Sequence, residues 1–110
     1  MKPAVFHPKA KSALKAFPEE LRRELGKAIF DLQKGKILSM PLSRSMKSVA
    51  QGAAELRVKD RSGAYRVFYY ARIEDKLLIF HAFVKKTGKT PMHEIELGKK
   101  RLKELIDEKI

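Results

Sequence analysis

The sequence has no cysteine, no tryptophan and no asparagine. The lack of cysteine excludes a disulfide scaffold, a zinc site built on thiolates and a cysteine nucleophile, and it fits a reducing cytoplasm. No apolar run approaches the ~18 residues that a membrane-spanning helix needs. The first residues also lack the apolar stretch of a secretory signal. We therefore expect a cytoplasmic protein that has no membrane partner.

Acidic residues are scarce relative to basic ones, with 13 Asp and Glu against 25 Lys and Arg, which gives a net charge of +12. A domain this basic predicts a polyanionic partner, with nucleic acid first. An anionic membrane, an acidic protein and a merely solubilising surface are the alternatives. The length of 110 residues and the absence of a composition boundary predict one domain over residues 1–110.

Apolar spacing predicts a helical hairpin over residues 8–34. Pro8 suits the first position of a helix, Pro18 separates the two helices, and Gly35 is a natural stop. The second helix has an apolar stripe of Leu21, Leu25, Ala28, Ile29 and Leu32. A short apolar run at residues 4–6 precedes the hairpin and predicts an edge strand.

Alternating apolar residues predict three antiparallel strands over residues 54–59, 64–73 and 77–84, joined by short turns. Residues 36–52 have no clean period and predict a long connection. Thr90 and Pro91 resemble the N-cap and first position of a last helix. The expected class is α+β: a helical hairpin packed on a small antiparallel sheet, with all helices on one side, plus a C-terminal helix.

Several chemistries find no support in the residue spacing. His7, His81 and His93 are scattered, so we expect no metal and no cofactor, and a surface or strand-capping role for His7. The GKT at residues 88–90 lacks the glycine of a phosphate-binding loop, because Phe83 stands five residues earlier. No strand–turn–helix segment offers a place for a serine nucleophile.

Cations recur in the strand region. Arg57 and Arg66 lie in strands otherwise rich in apolar residues, where a charge is costly unless it lines a concave site. These two could converge on one phosphate-sized region with nearby lysines, namely Lys59, Lys85, Lys86 and Lys89. The alternative is edge-strand charge that discourages aggregation. Interleaved tyrosines also resemble an RNA-contacting sheet, although tyrosines at this period are more often core.

Two segments resemble the RelE/ParE toxin superfamily, closest to its HigB-like, phage-derived branch. They are ELRVKDRSGAYRVFYY and LLIFHAFVKKTGKTPMHEIELGKKRLKEL, which cover about residues 53–104. The resemblance implies a RelE-like fold and the toxin of a type II toxin–antitoxin system. Most characterised RelE-like members cut mRNA in the ribosomal A site. The antitoxin is typically a small protein with a helix-turn-helix DNA-binding domain.

The resemblance also implies roles for individual residues. It places catalytic cations at Arg57 and Lys59, at Arg66 after Tyr65, and at Lys86. Where RelE has a C-terminal tyrosine, this sequence has Met92 and His93, and HigB relatives use histidines, so His93 or His81 is the candidate proton-transfer group. The expected RNA-binding cations are Lys85, Lys89 and Arg61.

The implied reaction is metal-free cleavage of mRNA by attack of the adjacent 2′-OH, with arginines on the phosphate oxygens. Arg66 is expected to bind the scissile phosphate, with an ion pair to Glu55 as the structural alternative. Two other functions stay open. One is a ParE-type toxin that inhibits gyrase or another protein target on the same fold, and the other is a nucleic-acid-binding module without catalysis.

Overall fold

The protein folds into a five-stranded sheet and three helices. The computed structural model describes residues 1–86 and 88–108. In chain order the elements are β1 (Ala4–Phe6), α1 (Pro8–Lys15), α2 (Glu19–Gln33), β2 (Ser43–Ser45), β3 (Ala53–Asp60), β4 (Gly63–Tyr70), β5 (Leu77–Lys85) and α3 (Met92–Ile106). The strand order is β1-β5-β4-β3-β2. Among the described helices, none is long and apolar enough to cross a membrane.

The sheet is mixed, which corrects the expectation of an antiparallel sheet. The edge strand β1 is confirmed, but it runs parallel to β5, with Val5 opposite Leu78. The rest of the chain between these two strands forms the crossover that parallel pairing requires. The predicted connection over residues 36–52 also contains β2, which pairs antiparallel with β3. A three-residue strand is too short to show a period in the sequence.

The helical hairpin is confirmed and packs on one face of the sheet. Pro8 begins α1, and all five residues of the predicted stripe in α2 are buried. Gly35 has a φ of +89°, the left-handed conformation that ends a helix. The hairpin and the sheet share a core in which Leu56, Val67 and Ile79 are fully buried.

The last helix packs on the opposite face, so the expectation that all helices lie on one side is wrong. The strands carry apolar residues on both faces, and the second set needs its own cover. Phe68 and Phe80 supply that set, and Leu102 of α3 packs against them. The close approach depends on Gly98, because an added Cβ would lie 2.7 Å from a ring carbon of Phe68. The helix begins at Met92, one residue later than predicted.

A bulge in β5 fixes where α3 sits. Phe68 pairs with His81 while Tyr69 pairs with Ile79, so Phe80 is the extra residue. Consecutive residues Phe80 and His81 consequently both face α3. His81 binds the helix on two sides, since its Nε2 lies 2.7 Å from Glu94 Oε1 and its Nδ1 lies 2.7 Å from Arg101 Nη1.

Candidate nucleic-acid interface

Two arginines stand side by side on the sheet face that carries α3. The register pairs Arg57 of β3 directly with Arg66 of β4. Like charges at directly opposite positions destabilise a strand pair unless a counter-charge is close. The β2–β3 pairing ends at Leu56, and the backbone amide of Arg57 donates to Leu42 O at 2.8 Å. The arginine pair therefore lies where the sheet edge opens.

Glu55 supplies the counter-charge for both arginines. Its Oε1 lies 3.6 Å from Nε of Arg57 and 3.6 Å from Nε of Arg66. The side chain is 1% exposed, against 24% for Arg57 and 8% for Arg66. We call these three residues the arginine clamp. The ion pair between Arg66 and Glu55, the structural alternative offered by the sequence, is present, because the register puts Glu55 and Arg66 diagonally on one face.

The clamp holds three buried polar atoms that have no hydrogen-bond partner among the residues that the structure describes. They are Oε2 of Glu55 and the Nε atoms of Arg57 and Arg66. A buried polar group without a hydrogen bond costs about 1–3 kcal/mol. Burial is the main cause that lowers the pKa of Arg66, and the Glu55 carboxylate opposes it. The guanidinium stays charged, so the clamp presents two cations around one buried anion.

Two clefts flank the clamp, and Arg66 lines both. The edge cleft, about 380 Å³, lies between α2 and the sheet and is lined by Glu24, Pro41, Leu42, Arg57, Val58, Lys59 and Arg66. The turn cleft, about 350 Å³, lies at the β3–β4 turn and is lined by Lys59, Asp60, Arg61, Gly63, Ala64, Arg66, Lys85, Lys86 and Gly88. Six of the eight predicted site residues thus line the two clefts, with Arg66 common to both, and all six are cationic.

Lys85 faces the clamp more directly than its neighbour. It is the last residue of β5 and pairs with Ala64, so alternation puts it on the same face as Arg66. Burial lowers the pKa of Lys85, and the charge of Arg66 lowers it further. The resemblance gave the catalytic place to Lys86, which is exposed and lines the turn cleft. The strand reaches one residue beyond its predicted end, and this brings Lys85 to the site.

The histidines do not join this cluster. His93 lies on the exposed first turn of α3, 73% exposed, with Nε2 3.3 Å from Glu94 Oε2, and it lines neither cleft. The structure therefore does not bring His93 together with the arginines, since it lies in the first turn of α3, and its catalytic role stays a prediction. His81 is buried beneath α3. His7 is buried rather than superficial, where it caps α1 and contacts Glu104 at 2.9 Å.

Sequence reasoning missed one residue near the clamp and one part of the role of another. The alternation puts Glu55 on the same face as Arg57 and offers it as a partner for Arg66, but not as the counter-charge of both arginines. Arg44 lies in the predicted connection, yet β2 pairs it directly with Glu55. Lys89 lies apart from both clefts, in a third one beside Arg44. Within residues 1–86 and 88–108 no group of three His, Asp or Glu side chains could hold a metal ion.

One comparison places the chain among known sequences. The model of the family described as phage derived protein Gp49-like (DUF891) matches residues 12–103. That range includes the whole sheet apart from β1, and it contains the arginine clamp. No curated protein matches the chain.

Proposed function

The chain belongs to the Gp49-like family of phage-derived proteins, within the RelE/ParE-like toxin superfamily, and on this premise we propose that it is the toxin of a type II toxin–antitoxin system. Residues 1–110 would form one toxin domain of the HigB-like branch. Its partners would be mRNA on the ribosome and a cognate antitoxin with a helix-turn-helix domain. The site would lie in the cytoplasm, where both partners occur.

The proposed activity is endonucleolytic cleavage of mRNA without a metal ion. The observation that carries it is the arginine clamp, whose two guanidinium groups stand opposite each other around a buried carboxylate between two open clefts. Guanidinium groups suit the oxygens of a phosphate because they offer parallel donors in a rigid plane. Glu55 would hold both forks in place before the substrate arrives, which favours a charged transition state.

In the proposed reaction the 2′-oxygen of the ribose attacks the adjacent phosphorus. The new bond to the 2′-oxygen forms as the bond to the 5′-oxygen breaks, which leaves a 2′,3′-cyclic phosphate and a 5′-hydroxyl. The proton of the 2′-OH leaves to solvent water, and the departing 5′-oxygen takes up a proton. The clamp would stabilise the negative charge that builds on the non-bridging oxygens.

Lys85 is the proton donor that the geometry favours over His93. Strand alternation puts Lys85 on the clamp's face, and its ammonium group donates to Gly88 O at the turn cleft. Its lowered pKa makes proton release easier than from an ordinary lysine. His93 lines neither flanking cleft, so its place as the donor would require the ribosome or substrate to bring the groups together.

Substitution of Arg66 tests the proposed activity. Arg66→Lys keeps the charge but loses the two-pronged donor, so we expect mRNA cleavage on programmed ribosomes to fall about 10-fold or more. Arg66→Ala should lower the cleavage rate about 10²–10³-fold, the range for loss of one preorganised donor. The measurement is single-turnover cleavage followed by primer extension. The matched control is Arg22→Ala, which removes an exposed arginine from α2.

Equal cleavage rates for Arg66→Ala and the parent would show that the residue is structural and that the active site lies elsewhere. A circular-dichroism melt of each variant separates loss of chemistry from loss of fold. A parent protein that binds programmed ribosomes but leaves the mRNA intact would exclude the nuclease and leave the binding module.

A further inference from the structure

We propose that a second cleft, between β2 and the loop that precedes α3, binds backbone phosphates of the same single RNA strand that the clamp holds. We call it the β2 cleft. It is lined by Arg44, Ser45, Met46, Lys47, Ser48, Lys89, Thr90 and Ile95 and has a volume of about 420 Å³. The inference rests on the proposed function, since it takes RNA as the ligand, and it extends the contact from one phosphate to a run of several.

The β2 cleft adjoins the clamp through the strand register. Arg44 pairs with Glu55, Arg57 pairs with Arg66, and Ala64 pairs with Lys85. These pairs form three successive rows on one face, about 7 Å apart along the strands. The charge of Arg44 reaches the clamp, because it adds to the effect of burial in lowering the pKa of Arg66.

The cations of the β2 cleft have no carboxylate partner among the described residues. In the part of the chain that the structure describes, no ion pair involves Arg44, Lys47 or Lys89. By contrast, one carboxylate, Asp31, is shared by several lysines of the second helix and its end. Three unpaired cations around one concave surface favour a polyanion as the ligand.

A single RNA strand fits this arrangement. Cations lie at both ends of the face and in the middle, so a backbone that crosses from the turn cleft to the β2 cleft meets positive charge at each step. The hydroxyls of Ser45 and Ser48 add donors for phosphate oxygens. Ile95, which is partly buried, adds an apolar side chain to the wall of the cleft. Proteins that bind single strands without sequence preference use a positively charged groove that follows the backbone.

The experiment measures binding of a fluorescein-labelled 2′-O-methyl RNA by the full chain. This probe keeps every phosphate but has no free 2′-OH, so it cannot be cut by the proposed reaction. The test variant removes three charges from the β2 cleft, Arg44→Gln, Lys47→Gln and Lys89→Gln. The matched control removes three from the exposed face of α1, Lys9→Gln, Lys11→Gln and Lys15→Gln. Both variants have the same net charge. Thermal melting of each variant and of the parent checks that all three are folded.

We expect the slope of log K against log salt to fall by about 2 in the test variant, since each phosphate contact contributes about 0.7 for a single strand. At about 0.1 M salt this corresponds to roughly 100-fold weaker binding of an oligonucleotide of about 12 nucleotides. The control should keep the parental slope. With an oligonucleotide of about 4 nucleotides, the difference in affinity between the parent and the test variant should shrink, because a short strand cannot reach both the clamp and the β2 cleft.

Equal losses in the test variant and the α1 control would overturn the proposal, because binding would then follow net charge alone. Lack of binding by the parent would overturn it as well. Failure of the proposed nuclease gives a different result. The parent would leave mRNA intact on ribosomes, while the two triple variants would still differ in salt slope.

Discussion

At the scale of single residues, Glu55 determines what the two arginines can do. The residue is 1% exposed and stands within ion-pair distance of both guanidinium groups. Loss of one arginine would leave a neutral pair, whereas loss of the carboxylate would leave two opposed cations with no counter-charge. A buried charge without a partner costs more than a missing pair. The charge balance of the clamp therefore makes the loss of Glu55 more destabilising than the loss of either arginine.

We predict that Glu55→Gln destabilises the protein more than Arg57→Gln does. Glu55→Gln should lower the free energy of unfolding by about 2–4 kcal/mol, in line with breaking a buried ion pair. Arg57→Gln should cost about 1 kcal/mol or less, because Arg57 is partly exposed and Glu55 keeps Arg66. Urea denaturation measures both. The control is Glu74→Gln, which removes an exposed carboxylate. If both variants lower the free energy of unfolding by the same amount, this interpretation of the clamp is wrong.

The sequence reveals the clamp in part. Arg57 and Arg66 stand out because they interrupt apolar strands, and period 2 correctly separates them from Leu56 and Val67. The direct pairing of the two arginines depends on the turn, since β3 runs to Asp60 and β4 starts at Gly63. A shift of one residue in that register would put the arginines on different rows. The spacing of residues along the chain does not fix this register, so the sequence offers the Glu55 ion pair only as an alternative and does not show that it serves both arginines.

At the scale of elements, the position of α3 decides which part of the sheet is free for a ligand. The helix covers Phe68 and His81, and it leaves Arg57 and Arg66 at the uncovered end of the same face. His81 keeps the helix in place through Glu94 and Arg101. Burial lowers the pKa of His81, and the neighbouring Glu94 opposes this shift. His81 thus holds α3 on the sheet, and its role as a proton-transfer group stays a prediction.

We predict opposite effects for the same substitution in two helices. Gly98→Ala should destabilise the protein by about 1–3 kcal/mol, because the added Cβ would meet the ring of Phe68 at 2.7 Å. Gly26→Ala should stabilise it by up to about 1 kcal/mol, because its Cβ would meet nothing within 4 Å and alanine is the better helix former. Chemical denaturation of both variants gives the comparison. A stabilised Gly98→Ala would show that α3 packs less closely.

The elements differ in how far the sequence predicts them. The stripe of α2 is long and regular, so the helix and its buried face follow directly from the residues. The side on which α3 packs does not, because strand β5 is apolar on both faces. The bulge at Phe80 shifts the alternation within that strand and sends His81 to the helix. Bulges arise from pairing between strands, which no periodicity along one strand records.

At the scale of the whole molecule, the charge of +12 is distributed between two kinds of surface. On α2 and its C-terminal end, cations stand next to carboxylates, as Arg23 does with Glu19. At the end of the sheet, the clefts gather cations around a single buried carboxylate. The composition predicts a polyanionic partner, and the fold brings several cations together at the clefts where the proposed RNA strand would lie.

We predict that expression of the chain without its antitoxin stops growth, and that protein synthesis falls before DNA synthesis does. The clamp is suited to a phosphate in a charged transition state, and destruction of mRNA acts on translation first. Pulse labelling of protein and DNA in the same culture measures the order. Arg66→Ala should restore growth, whereas Arg22→Ala should remain toxic, since it lies on the far side of the sheet from α3. If DNA synthesis stops first while mRNA stays intact, the toxin acts on gyrase, and the clamp serves binding rather than cleavage.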